Sequence, residues 1–348
     1  MIKNTLNPIW QPFELTEQQL CNCDGSKRVR IECYDWDQVG VHDLIGTHEL
    51  PFGELIDRGK RFELKKGKKN KLAGTIELTE VILKKNLSFI DYLRCGVHLS
   101  LSVAIDFTAS NLDPKKKDSL HHLSNNQLNQ YEQAIREIGG ILQTYDNDKL
   151  FPVFGFGGAL KGEYKVNHCF PLTGNVTNPN VQGVEGILSA YRKAVDEITL
   201  SGPTLFQHII DQTIGVVQRT DSHTMYNILL IITDGEIVDM PKTIKRIVKA
   251  SSLNVSIIIV GVGNEEFGSM DELDNKKGKL KDSHDHKAIR DIVQFVPFRR
   301  LGGNPVALAA EVLKAVPLQL TEFMKGIGYM PVVTEQQSIR DIEVEGHH

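Results

Sequence analysis

The chain has 348 residues, enough for two domains and a sizeable core, with 41% apolar and 24% charged residues and a formal net charge of −4. This balance is ordinary for a globular protein and excludes a nucleic-acid-binding polycation or an acidic solvating tail. The five cysteines are scattered and odd in number, and Cys21-x-Cys23 has no second pair at zinc spacing, so reduced thiols in a cytoplasmic protein are expected. The chain opens Met1-Ile2-Lys3-Asn4, with neither an apolar signal region nor a myristoylation glycine. Its longest apolar runs, around 228–232 and 255–262, are too short to span a bilayer, so membrane contact is expected to be peripheral.

Residues 1–84 read as all-β: 29–33 alternates, 71–83 is rich in β-branched and apolar residues, and no helical periodicity competes before Ser88. After the first strand, Asp35, Asp37 and Asp43 share one loop. Three carboxylates so placed repel unless a cation neutralises them, and Ca²⁺ takes several such oxygens; the alternative is an acidic turn whose aspartates satisfy backbone donors. The segment 58–71, RGKRFELKKGKKNK, carries Lys65, Lys66, Lys68, Lys69 and Lys71. It reads either as a solvated hairpin turn or as a patch drawn to anionic phospholipid, at roughly 1 kcal/mol per basic residue near the surface.

Asn7-Pro8-x-Trp10, a strand, D-x-D with a third aspartate six residues on, and Leu44-Ile45-Gly46 directly after resemble the second half of a C2 domain. The resemblance implies Ca²⁺ ligation by Asp35, Asp37 and Asp43, together with two aspartates from an earlier loop that would precede Asn7. A truncated C2-like sandwich is therefore expected, with Ca²⁺ binding weak or absent. Residues 85–97 form a connector too apolar to be a free linker, expected to pack at the domain junction.

From 98 to 328 strands and helices alternate. Strands are predicted at 99–105, 150–156, 168–171, 227–232, 255–262 and 295–298, and helices at 128–143, 184–198, 205–217, 241–252 and 305–325. Runs such as ILLII and VSIIIVGV are near-continuously apolar, as in strands buried on both faces, so the fold class is a doubly wound, mostly parallel α/β sheet. FGFGG at 154–158 lacks the G-x-G-x-x-G spacing and a following Lys-Ser/Thr, which argues against nucleotide binding there. The tail 329–348 has mixed charge and little periodicity and is expected to be disordered.

Two buried strands end in aspartate. The first runs into Asp106-x-Thr108-x-Ser110, the second into Asp234-Gly235, and Thr204 opens a helix after Gly202-Pro203. Alone, D-x-T-x-S also reads as a capping turn. With Thr204 and Asp234 the set offers two carboxylates and three hydroxyls at the carboxyl ends of strands, where open α/β sheets bind ligands. Hard oxygen donors of this kind suit Mg²⁺ or Mn²⁺. The five positions resemble the metal-ion-dependent adhesion site of von Willebrand factor A domains, with Thr108 where many members carry serine. AIDFTASN, YDWD with HDLIG, GVEGILSAYR, GPT-x-F, LLIITDGEI, SIIIVGVG and RDIVQFVPFR together resemble the copine family.

The resemblance implies a non-enzymatic, calcium-responsive, phospholipid-binding cytoplasmic protein that is recruited to membranes and captures proteins bearing an acidic residue through its A-domain metal. Two alternatives stand beside it. A Mg²⁺-dependent phosphotransferase or phosphatase would need a positioned base, for which only His98, His168 and His208, paired by no motif, are available. A truncated product would keep only the A-domain interaction.

Overall fold

The computed structural model describes residues 5–36, 40–56, 61–84, 86–146, 148–235, 237–264, 267–274, 280–301 and 304–331. The chain divides into two compact units, Met1–Asn86 and Leu87–His348.

In the first unit, β1 (Arg28–Asp35), β2 (Asp43–Pro51), β3 (Arg61–Lys66) and β4 (Lys71–Glu77) form one antiparallel meander in chain order. Burial alternates along β3, where Phe62 and Leu64 point inward, while Val29, Ile31 and Cys33 of β1 are only half-buried. The all-β reading needs correcting at two places: α1 (Glu17–Cys21) and α2 (Phe52–Leu55) are short helices. A capping box between Thr16 and Gln19 starts α1, a local signal too short to give periodicity.

The second unit opens with α3 (Phe89–Arg94), capped by Ser88 and Asp91, and Leu87, Tyr92 and Val97 belong to this unit's core. Its sheet contains β5 (His98–Asp106), β6 (Leu150–Phe156), β8 (Phe170–Pro171), β9 (Asn180–Gln182), β11 (Met225–Thr233), β12 (Val255–Gly261) and β13 (Val293–Pro297); β7 (Gly158–Leu160) and β10 (Ile198–Leu200) form a separate ribbon. The strand order is β13-β12-β11-β5-β6-β8, with all pairs parallel from β13 to β6 and β8 antiparallel to β6.

The helices are α4 (Gln130–Leu142), α5 (Gly183–Glu197), α6 (Gln207–Val217), α7 (Met240–Ala250), α8 (Gly268–Leu273), α9 (Phe298–Leu301) and α10 (Pro305–Gly326). Two cores lie on opposite faces of the sheet. Ile228, Leu230 and Ile232 of β11 pack with side chains of α3, α4, α5 and α10, whereas Leu229 and Ile231 pack with those of α6, α7 and α8. A period-2 strand apolar at every position must be covered on both sides, which is why β11 and β12 sit centrally. Tyr329, placed in the tail by the sequence reading, stacks on Tyr92 with ring centroids 6.4 Å apart; 332–348 lie outside the described residues. Among the described residues no helix is long and apolar enough to cross a membrane.

From β5 the chain crosses to β6 on one side and later returns to β11 on the other. The strand order therefore reverses between β5 and β11, and the crevice beyond their carboxyl ends is the switch point where such sheets place ligands.

Candidate metal centre

β5 ends at Asp106 and β11 at Thr233, one residue before Asp234, so the parallel pairing of these strands brings both aspartates to the same end of the sheet. After Asp106 the chain turns through a single 3₁₀ turn, Ala109–Asn111. Asp106 Oδ1 accepts from the Thr108 backbone N–H at 2.8 Å and its hydroxyl at 2.6 Å, and Oδ2 accepts from the Thr233 hydroxyl at 2.5 Å. The Thr108 and Ser110 hydroxyls are 2.9 Å apart, and Ser110 Oγ donates to Asp234 Oδ1 at 2.9 Å. Four of the five residues singled out from the sequence thus form one hydrogen-bonded chain joining two strand ends. Thr204, 7% exposed, is not bonded to that chain of side chains among the described residues; its carbonyl accepts from Val238 N–H at 3.0 Å, four residues after Asp234.

Asp106 and Asp234 are 0% and 2% exposed. Burial pushes the Asp106 carboxyl up to about 6, against the lowering effect of the donors from Thr108 and Thr233. Those donors are all uncharged, so a buried carboxylate is held by hydroxyls and amides. A hard divalent cation fits this donor chemistry: it would be held by Asp106, Thr108, Ser110 and Asp234, and would compensate the buried negative charge. No cluster of three or more His, Cys, Asp or Glu side chains placed to hold a metal occurs among the described residues; this set has two carboxylates and otherwise hydroxyls.

Sequence reasoning did not single out the residues supporting the cluster. Thr233 ends β11 beside Asp234, and a hydroxyl as the last residue of an apolar strand was the available signal. His121, fully buried, bonds through Nε2 to the Asp106 carbonyl and through Nδ1 to the Tyr191 hydroxyl, each at 2.8 Å. A carbonyl only accepts, so Nε2 carries the hydrogen and Nδ1 accepts from Tyr191. The imidazole stacks between Phe107 and Tyr131, with centroids 5.2 and 4.3 Å away, and Tyr131 donates to the Asn111 side chain at 2.8 Å. No motif marks His121 in the sequence.

Burial pushes His121 down to about 3. The unfolded chain takes up this proton near pH 6.5 and the folded chain resists it, so stability falls as pH drops below about 6.5. The raised Asp106 carboxyl acts oppositely between about 6 and 3.8, where the folded state holds the extra proton. Urea unfolding of wild type and His121→Gln at stepped pH is expected to show a shallower acid decline in the variant, by up to about 1.4 kcal/mol per pH unit. Equal slopes would contradict a neutral His121.

Of the Ca²⁺ candidates, Asp35 ends β1 and pairs in register with Asp43 at the start of β2; Asp37 lies outside the described residues. Like charges directly opposite on a hairpin repel, so this pair favours a bound cation. Lys65 and Lys66 end β3, Gly67 (φ 73°) and Asn70 (φ 48°) turn the hairpin, and Lys71 opens β4 opposite Lys66. With Lys68 and Lys69 at the tip, all five lysines are exposed. Among the histidines considered for catalysis, His98 begins β5, and the His168 and His208 rings stack 5.6 Å apart.

Comparison with known proteins follows the same division. A family model described as C2 domain matches residues 1–67, and one described as Copine matches residues 119–331. Thr204 and Asp234 lie inside the copine match, whereas Asp106, Thr108 and Ser110 precede it. Solved structures similar to the chain include a von Willebrand factor type A protein from Catenulispora acidiphila, at 14% identity and TM-score 0.35, covering 65% of this chain and 43% of that one. Manganese-loaded Plasmodium vivax TRAP protein is similar at 12% identity and TM-score 0.38 over 64% and 75% of the two chains, and the SpRpn10 VWA domain at 12% and 0.37 over 58% and 87%. The chain thus spans less than half the length of the Catenulispora protein. The copine match covers more than half of the 348 residues and follows a C2 match, and the chain belongs to the copine family.

Proposed function

We propose that this copine-family chain is a calcium-responsive, phospholipid-binding adaptor whose second unit captures partner proteins through a divalent cation, without catalysis. The observation that carries the reading is the hydrogen-bonded chain Asp106–Thr108–Ser110–Asp234, which joins the ends of β5 and β11 at the topological switch point. When bound, Mg²⁺ or Mn²⁺ supplies an open coordination position to an acidic side chain of a partner. Asp106 and Asp234 with the hydroxyls of Thr108 and Ser110 would hold the cation, water would complete its shell, and an incoming acidic side chain would bind by displacing that water.

In the first unit, the exposed lysines 65, 66, 68, 69 and 71 supply attraction to anionic lipid, and the facing Asp35 and Asp43 supply the calcium-sensitive part. Sedimentation of the full chain with phosphatidylserine vesicles tests this half of the reading. Binding is expected to weaken as salt rises, since exposed charges are screened over about 10 Å at 0.1 M and about 3 Å at 1 M. Changing the five lysines to glutamine is expected to lower partitioning at least tenfold, at about 1 kcal/mol per charge. Added Ca²⁺ is expected to produce a small increment that EDTA removes. Binding indifferent to salt, to the lysine changes and to EDTA would exclude it.

A further inference from the structure

A cleft of the second unit lies away from the two strand ends. It has a volume of about 450 Å³ and is lined by Asp211, Lys245, Arg246, Val248, Lys249, Asp282 and His286. It runs between the outer face of α7 and the tight turn at 281–287, where Lys281 and Lys287 bridge antiparallel and Ala288 N–H bonds to the Leu280 carbonyl. The sequence MPKTIKRIVKA explains the charge on α7. Thr243, Ile244, Ile247 and Ala250 are its buried residues, and Lys242, Lys245, Arg246 and Lys249 recur at three- and four-residue spacing on the opposite stripe, with no acidic residue in the helix. Like charges at that spacing oppose helix formation, so the stripe costs stability unless something negative lies against it.

Both acids of the cleft are already engaged. Asp211 receives Arg246 Nε at 2.9 and 3.0 Å. The Asp282 carboxylate, 3% exposed, turns into its own loop: Oδ1 accepts from the His284 and His286 backbone N–H groups at 2.8 and 3.0 Å, and Oδ2 bonds His286 Nδ1 at 2.9 Å. The hydrogen bond from His286, with the two amides, holds the Asp282 carboxyl down to about 2, so it stays an acceptor and fixes the imidazole. Nε2 is then the ring nitrogen of His286 left for a ligand, and because Nδ1–H is given to Asp282 it donates to an anion when the ring carries its second proton. Among the described residues neither Lys245 nor Lys249 has an ion-pair partner within 4.0 Å. One rigidly held imidazole and two lysines one helical turn apart, about 6 Å along the axis, therefore border a recess larger than a single oxyanion.

We infer that this cleft is a binding site for a phosphate monoester carried on a small body, gripped by Lys245, Lys249 and His286 with Arg246 anchored beside them. A phosphomonoester offers three acceptor oxygens and close to two negative charges, matching separate point donors better than a single carboxylate does. The volume is in the range of small-ligand pockets, leaving room for the group that bears the phosphate. The same headgroup could be free in solution or borne by a lipid, and the test separates these sources. The inference is independent of the metal centre and is tested with that centre stripped.

Titration calorimetry of the full chain in EDTA, with inorganic phosphate and then glycerol phosphate, is expected to show one saturable site, tighter for glycerol phosphate. Lys245→Gln with Lys249→Gln is expected to weaken it at least tenfold, as loss of charge-assisted contacts should. His286→Asn is expected to weaken it several-fold. Lys242→Gln removes one of the stripe's charges outside the cleft, half the charge change of the double variant, and is expected to shift affinity less than twofold. Phosphatidic acid presents the monoester on a membrane and phosphatidylcholine does not. Because lysines 65, 66, 68, 69 and 71 also attract anionic vesicles, the lipid arm uses the full chain with those five changed to glutamine. Sedimentation with phosphatidic acid vesicles that is lost on adding the Lys245/Lys249 changes identifies a lipid source, and lysine-dependent binding of glycerol phosphate alone identifies a soluble one. Equal weakening by Lys242→Gln, or no lysine-dependent binding of any of the three phosphates, overturns the site. Because EDTA is present throughout, neither outcome depends on the metal reading.

Discussion

Changing Asp234 to alanine is expected to erase the stabilisation that Mg²⁺ or Mn²⁺ gives the second unit, and Asp106→Asn is expected to do the same while raising the stability of the metal-free protein. A ligand at about 100 times its Kd stabilises the folded state by ~2.7 kcal/mol. In a domain of this size each kcal/mol moves Tm by about 2–4 °C, so the wild-type shift on adding metal is about 5–10 °C. Asp106→Asn keeps the shape of the side chain but removes a buried charge that only uncharged hydroxyls and backbone amides compensate. The asparagine carbonyl can still accept from Thr108, and its amide can donate to Thr233 once that hydroxyl rotates. Thermal unfolding with metal and with EDTA, beside circular dichroism to confirm the fold, provides the measurement. If either variant keeps the full metal shift, the ion sits elsewhere. If partner binding survives both substitutions and EDTA, capture through the ion is wrong even where the ion binds.

What was legible in the sequence was whatever repeats with a local period or sits next to its own partner. β11 and β12 were visible as near-continuous apolar runs, because a strand covered on both faces needs little polar alternation, and β5 as an apolar run ending in Asp106. The order of donors along the chain was visible too, since Asp106, Thr108 and Ser110 follow one strand and Asp234 another. The contacts between them span the fold: Ser110 reaches Asp234 across 124 positions and Thr233 reaches Asp106 across 127. No local pattern shows that the hydroxyls bond one another. His121 was illegible for a related reason, since its role depends on Tyr191, 70 residues away, and on an enclosing aromatic cage. The glycines of FGFGG were read only against a nucleotide loop. The structure gives them another reason: a Cβ would come within 2.5 Å of Phe170 at Gly155 and 2.4 Å of Ile198 at Gly158.

Gly157, the remaining glycine of that stretch, is the second place where one atom should have a large effect. Its φ is 77°, and a Cβ there would lie 2.3 Å from Thr108 Cγ2. The loop cannot retreat. Gly157 N–H bonds the Asn167 carbonyl at 3.0 Å, and its own carbonyl accepts from Ser201 N–H at 3.1 Å. The Ser201 carbonyl in turn accepts from Ala109 N–H at 2.6 Å, inside the turn that bears Thr108 and Ser110. Gly157→Ala is therefore expected to cost about 2–5 kcal/mol, combining ~1–2 for the left-handed backbone with ~1–3 for overpacking. It should also shrink the metal shift without removing a donor, because the displaced Thr108 hydroxyl is the link between Asp106 and Ser110. Thr108→Ser deletes the methyl group that collides and keeps the hydroxyl. The double variant should then regain both the metal shift and the overpacking part of the stability, while the backbone cost persists. A coupling of about 1–3 kcal/mol in that double-mutant cycle is the expected signature of a direct clash. Strict additivity would mean that the glycine is required for its backbone angle alone, and that the threonine at this position sets no limit on residue 157.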